Sequence, residues 1–252
     1  MSELRGIYTL WQREIKRYLR ERTRLASSFF QPLLWLVIFG SGLGLSIRSS
    51  TGLNYQEYIF PGIIGQTLLF TSMFMGISLI WDRQFGFLKE ILVAPISRIS
   101  IFVGKMLGVS TDSMIQGMIV LMLGFLIGVK ITLPIVIKVI PLMLLVTLGT
   151  ACIGLTLACF MDSLESYGTI MTFVNMPMFF LSGALFPVNN LPSWLQWVVY
   201  VNPLTYGVDA LRIVILDGAY VSSFPLYMDL TIIIAFDVFM ILAGTYSFSL
   251  RK

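Results

Sequence analysis

The chain of 252 residues contains no histidine and two cysteines, Cys152 and Cys159. Without imidazole and with so few thiols, zinc, haem and histidine-based catalysis are not expected, and no metal site is read from the sequence. The cysteines lie seven positions apart on what reads as one helix, about 10 Å along its axis. That exceeds disulfide reach, so both read as small buried hydrophobes. No Ser or Cys nucleophile stands near a base at a readable spacing, which disfavours a membrane-embedded enzyme. The Gly-x-x-x-x-Gly-Lys-Ser/Thr phosphate loop is also missing, so this chain is not expected to hydrolyse ATP itself. Charge is sparse, at 12% of residues, where soluble domains carry about a quarter. The first 25 residues are too charged for a cleavable signal peptide, and no short apolar core there ends in a small-residue cleavage site.

What fills the space is apolar: 57% of residues, with a mean hydropathy of +0.86. Runs near 27–47, 58–81, 101–129, 135–161, 167–186 and 226–250 are each long enough for a helix to cross the ~30 Å hydrocarbon core. The expected fold is an all-α polytopic membrane protein with six spans, a single transmembrane domain over residues 1–252. Of the 17 Lys and Arg residues, seven lie in 1–25, four in 82–105 and two at the C-terminus. Those thirteen place both termini in the cytoplasm of a multi-pass cell-membrane protein by the positive-inside rule. Arg48, Lys130, Lys138 and Arg212 remain outside or near the outer face. The net charge of +4 thus describes topology and requires no nucleic acid.

Residues 1–25 form an amphipathic segment. Leu4, Ile7, Tyr8, Trp11, Ile15, Tyr18 and Leu19 recur at helical spacing, with basic residues opposite, the pattern of a helix lying in the membrane interface. Glycine pairs four apart at Gly40/Gly44, Gly104/Gly108 and Gly124/Gly128 permit close helix approach in lipid, within the chain or between copies.

Three further features carry the functional reading. Between the second and third spans lies DRQFGFLKEILVAPISR, residues 82–98. Phe85, Leu88 and Leu92, with Ile91 beside them, fall on one helical face there, expected to lie against the bundle, while Asp82, Arg83, Lys89 and Glu90 fall elsewhere and Pro95 ends the helix. The mixed charges argue against simple anchoring on lipid phosphates. Residues 187–225 form the second feature: Pro187 and Pro192 open an amphipathic piece with Trp194 and Trp197, Asn202 and Pro203 break it, and a second helical piece follows. Its apolar runs are too short to span, so it reads as an external re-entrant pair acting as an outer gate, with Asp209 and Arg212 one turn apart to pair locally. The third feature is two carboxylates inside spans, Asp112 and Asp237, which are costly there and suited to a structural or substrate-cavity role.

The order of these elements resembles the type-2 ATP-binding-cassette (ABC) export permeases, within them the small single-domain exporters of drugs, nodulation factors and cell-surface polysaccharides. The resemblance covers nearly the whole chain and rests on DRQFGFLKEILVAPISR together with LPSWLQWVVYVNPLTYGVDALR. It implies a permease that pairs with a second copy of itself and with two copies of a separate ATPase, which would supply the ATP and Mg sites this chain lacks. It implies that residues 82–98, including Phe87 and Arg98, form a coupling helix against that ATPase. Glu14 and Arg17 of the N-terminal helix would be further contacts, and residues 187–215 would be the outer re-entrant helices. Membrane lipids complete the expected partners. The cargo reads as hydrophobic or amphipathic: drug, lipid or lipid-linked glycan. The competing reading is a self-sufficient ion-coupled secondary transporter using Asp112 and Asp237, against which stands the lack of a visible repeat between the halves.

Overall fold

The computed structural model describes residues 3–21, 30–40, 54–188, 191–218, 220 and 222–250. Among them every regular element is helical. In chain order these are α1 (Glu3–Arg20), α2 (Phe30–Gly40), α3 (Tyr55–Met75), α4 (Ile77–Gln84), α5 (Phe87–Val93), α6 (Arg98–Leu123), α7 (Leu133–Phe160), α8 (Leu164–Phe180), α9 (Ser193–Val201), α10 (Pro203–Ile215) and α11 (Leu226–Leu250).

Among the described residues four helical stretches are long and apolar enough to cross a membrane: Tyr55–Gln84, Arg98–Ile127, Leu133–Phe160 and Leu226–Leu250. A fifth is reached if α9 and α10, bent by 86° at Asn202, are taken together. Six spans were expected. The first of them, 27–47, is described only over Phe30–Gly40, and Gly44 lies outside the described residues. The fifth ends early. α8 has 17 residues and stops at Phe180, because Leu181 bonds back to Pro177 and Gly183 adopts φ 70°, a left-handed turn open to glycine.

α3 occupies the centre. The best apolar window of Tyr55–Gln84 is 78% buried, and α3 packs on α6, α7, α8 and α10. Its continuation into α4 breaks at Gly76, where a Cβ would strike Tyr167 and lie 2.6 Å from the Gly154 carbonyl oxygen. The Tyr167 hydroxyl donates to the carbonyls of Met73 (2.5 Å) and Gly154 (3.2 Å), so backbone acceptors at the break keep a donor in a water-poor interior. α11 is peripheral, with 17% of its window buried. α1 lies along α6, and the Gly104/Gly108 pair serves this packing: a Cβ at Gly108 would lie 2.6 Å from Glu14 Cβ, and one at Gly104 3.1 Å from the Ile7 carbonyl oxygen. Gly124 faces Ile131 and Phe60 instead. Neither cysteine is in a disulfide and both are buried, as expected.

Candidate functional site

One end of the bundle concentrates charge. α1 presents three faces. Gly6, Leu10, Glu14 and Tyr18 are buried. Leu4, Tyr8 and Leu19 are exposed, and so are the basic residues Arg5, Lys16 and Arg20. Three of the seven apolar positions read from the sequence therefore point away from the bundle, Ile7, Trp11 and Ile15 are half-buried, and the i, i+4 row that ends in Tyr18 faces α6.

Glu14 in that row meets Lys105, two turns into α6, with Nζ donating to Oε1 at 3.1 Å. Lys105 also donates to Asp82 Oδ2, near the end of α4, at 2.5 Å. Arg13 closes the group from the solvent side, its two terminal nitrogens donating to Asp82 at 2.7 and 3.0 Å in a bidentate fork. The Asp82 carboxylate holds the Arg13 guanidinium above its ordinary pKa, ahead of the opposing effect of partial burial. Glu14, Asp82 and Lys105 are 1–2% exposed. Two cations and two anions thus cancel in a buried seam joining α1, α4 and α6. The seam was not legible from local spacing. The sequence singled out neither Lys105 nor Arg13, although a lysine within a span requires a partner. The expectation that Asp82 and Glu14 offer charge to a soluble partner is corrected: both are sealed inside, because α4 carries its helix to Gln84 before the chain turns.

Beyond Gln84 the chain turns at Gly86, in the left-handed region at φ 80°, into α5. Leu88 alone on α5 is buried. Phe85, Phe87, Leu92 and Val93 are exposed, as are Lys89 and Glu90, so the expected burial of Phe85 and Leu92 with Leu88 does not occur. Ile91, three positions on from Leu88, is half-buried against the core instead. Ala94 is extended, as a residue before Pro95 prefers, and ends α5. Arg83 turns back to the α7–α8 corner, donating to the Met161 carbonyl at 3.0 Å and Asp162 at 3.2 Å. Arg98 donates to the Ser249 carbonyl at 2.8 Å, tying the start of α6 to the end of α11. Arg17 lies over the Trp81 ring at 4.6 Å, and Arg13 over Phe87 at 5.6 Å. Glu3, on α1, accepts from the Ser97 N–H and hydroxyl at 3.0 and 2.9 Å. Hydrogen bonding by Ser100 and then Ser97 holds its carboxyl below the usual carboxylate range.

At the opposite end, Asn202 makes the bend between α9 and α10. Its amide donates to the Met178 and Leu181 carbonyls at 2.6 and 2.9 Å, while its oxygen accepts from Leu204 N at 3.1 Å, with Pro203 at the first position of α10. Trp194 and Trp197 are exposed, with Pro187 and Pro192 beside them on the surface. Asp209 and Arg212 do not pair directly. Arg212 donates to the carbonyls of Tyr58, Gly183 and Ala184, each at 3.2 Å, and stacks on Tyr58 at 4.0 Å. Asp209 accepts from the Tyr220 hydroxyl at 2.7 Å and from Phe224 N at 3.2 Å. Five fixed donors let Arg212 satisfy scattered carbonyls, which outcompete one neighbour on its own helix. Burial pushes the Tyr220 phenol up to about 12, so it stays a neutral donor. Asp112 is wholly buried on α6, and Asp237 rests against Gly149 of α7, where a Cβ would collide with its carboxylate. Asp229, one turn into α11, is equally buried and was not singled out from the sequence.

This architecture can be set beside known proteins. The family profile described as ABC-2 type transporter matches residues 5–216. The chain belongs to the ABC-2 type transporter family. It is 30% identical over 229 residues to the transport permease ycf38 of Cyanophora paradoxa, covering 89% of this chain and 79% of that one. Nodulation protein J of Rhizobium meliloti is 26% identical over 84% of this chain and 82% of its own length. The inner membrane transport permease YadH of Escherichia coli is 23% identical over 92% and 90%. This ABC-2 chain is therefore a membrane transport permease and not itself an enzyme.

Proposed function

We propose that this ABC-2 permease exports a hydrophobic or amphipathic cargo as a pair of identical chains driven by two copies of a separate ATPase, which carries the ATP and Mg. Both termini face the cytoplasm, as does α5. The observation that carries this reading is the buried seam of Arg13, Glu14, Asp82 and Lys105 beside the uncovered apolar and charged surface of α5. Helices short of a full span, exposed on the outside and held by a charge-neutral weld to α1 and α6, suit the transmission of a push. Displacing α5 moves α1, α4 and α6 together, because separating any of them leaves a buried charge without its partner. ATP binding in the ATPase would draw the two α5 surfaces together and open the pathway toward the α9–α10 bend, the outer gate in this reading. Asp112 and Asp237 serve the packing of α6 and α11 rather than an ion gradient.

Arg83 is committed to the α7–α8 corner, so the test uses the exposed pair Lys89 and Glu90. Reversing both (Lys89→Glu with Glu90→Lys) should reduce ATPase co-purification and ATP-driven export while leaving permease melting unchanged. Wild-type association and export in that variant would remove α5 from the coupling role.

A further inference from the structure

At the end of the bundle away from the charged seam, a cavity of about 450 Å³ opens among Glu57, Gly128, Val129, Lys130, Thr132, Ile135, Ile215, Leu216 and Asp217. Its volume falls in the range of small-ligand sites. Its depth is set by the helices. Glu57 lies in the first turn of α3, Ile135 in the first turn of α7, Gly128 to Thr132 in the turn joining α6 to α7, and Asp217 just past α10. These are all ends of candidate spans, the level at which lipid headgroups meet water. The lining divides by chemistry. Val129, Ile135, Ile215 and Leu216 are buried and form an apolar floor. Glu57, half-buried, and Lys130 and Asp217, both exposed, supply two negative charges and one positive at the rim. None of the three has an ion pair with another described residue, and the nearest polar contact of Glu57 is the Asn54 amide at 3.5 Å. Charges that line a cavity without neutralising one another are available to a ligand carrying both signs.

We propose that this cavity binds a zwitterionic ammonium–phosphate headgroup of the phosphatidylethanolamine type. The Glu57 and Asp217 carboxylates accept from the primary ammonium, Lys130 donates to the phosphate, and the apolar floor holds the glycerol and the root of the acyl chains. The arrangement discriminates by chemistry. A choline headgroup has no N–H to donate, and a glycerol headgroup brings a net negative charge to two carboxylates and one lysine. This site is independent of which cargo the permease moves.

The test places the permease, with any ATPase that accompanies it through purification, in nanodiscs of equal ethanolamine, choline and glycerol phospholipid. Native mass spectrometry then identifies the lipids retained on release. The wild type should retain ethanolamine lipid selectively. Glu57→Gln and Asp217→Asn should each lower that selectivity roughly tenfold, the effect of losing one charge-assisted contact to the ammonium. Lys130→Gln, which loses a contact to the phosphate that all three lipids carry, should lower total lipid retention instead, and Lys130→Arg should keep it. Asp217 has φ 34°, which asparagine tolerates as well as aspartate, and Lys130 is exposed, so these variants spare the fold. Competition by soluble glycerophosphoethanolamine would assign the ligand to free headgroup compounds as well as lipid; its failure to compete would assign it to membrane lipid alone. Equal retention of the three lipids by the wild type, or selectivity unaffected by both Glu57→Gln and Asp217→Asn, would overturn the site.

Discussion

Lys105 shows how a single residue is held by its neighbours. Its ammonium, 1% exposed, is shared between Glu14 and Asp82, and Arg13 forks onto Asp82 while lying 3.9 Å from Glu14. Lys105→Met would leave Glu14 buried without its lysine, and removing one partner of a buried ion pair costs about 3–5 kcal/mol. The detergent-solubilised permease should melt at a correspondingly lower temperature. Adding Glu14→Gln should recover most of the loss, because the Arg13–Asp82 fork survives and no carboxylate remains stranded. A double-mutant cycle measures this directly, and additive losses would show that Lys105 and Glu14 do not depend on one another. None of this was legible locally. Glu14 and Lys105 are 91 positions apart, and Asp82 reads as the first residue of a loop when it is in fact near the end of a helix.

Among the elements, α1 and the α9–α10 pair make separate, checkable demands. The first turn of α1 is tied to the α5–α6 junction through Glu3 and Ser97. The pKa of Glu3 is lowered in the folded chain, so this contact stabilises docking above the unfolded carboxylate value and is lost as pH falls through the depressed one. Hydrogen exchange, corrected for intrinsic rates, should show protection of the first hydrogen-bonded amides of α1 falling as pH is lowered from neutral to below the depressed Glu3 value. Glu3→Gln should show the lower protection throughout, and protection unchanged by acid would sever the link. At the other end, Asn202→Ala removes a helix cap and frees two buried carbonyls, at a cost of roughly 2–3 kcal/mol. It should lower the melting temperature and leave the rest of the bundle in place. A variant as stable as the wild type would show that Pro203 alone sets the bend. The periodicity of α1 and the Asn-Pro break were visible in sequence because propensity and capping are local. The length of α8 was not, since Gly183 and the packed Pro177 turn ended a run that composition carried on to residue 186.

For the molecule as a whole, the apolar runs near 58–81, 101–129, 135–161 and 226–250 were legible because a bilayer imposes length and composition on any span. The order of elements was legible too, with α1 first, α5 between spans and the bent pair before the last. Which side chains meet across them depends on packing that no single segment encodes. The buried seam has one more consequence, for biogenesis. A ribosome adding about 5–20 residues per second emits Glu14 roughly 5–20 s before Lys105, 91 positions later. Throughout that interval Glu14 has no lysine to meet, and the exposed Leu4, Tyr8 and Leu19 beside the exposed Arg5, Lys16 and Arg20 suit α1 to wait at a membrane interface. Asp82 and Lys105, by contrast, emerge close together and can enter as a neutral hairpin. The amphipathic first helix thus serves as a parked component, latched only when the third expected span arrives to claim its glutamate.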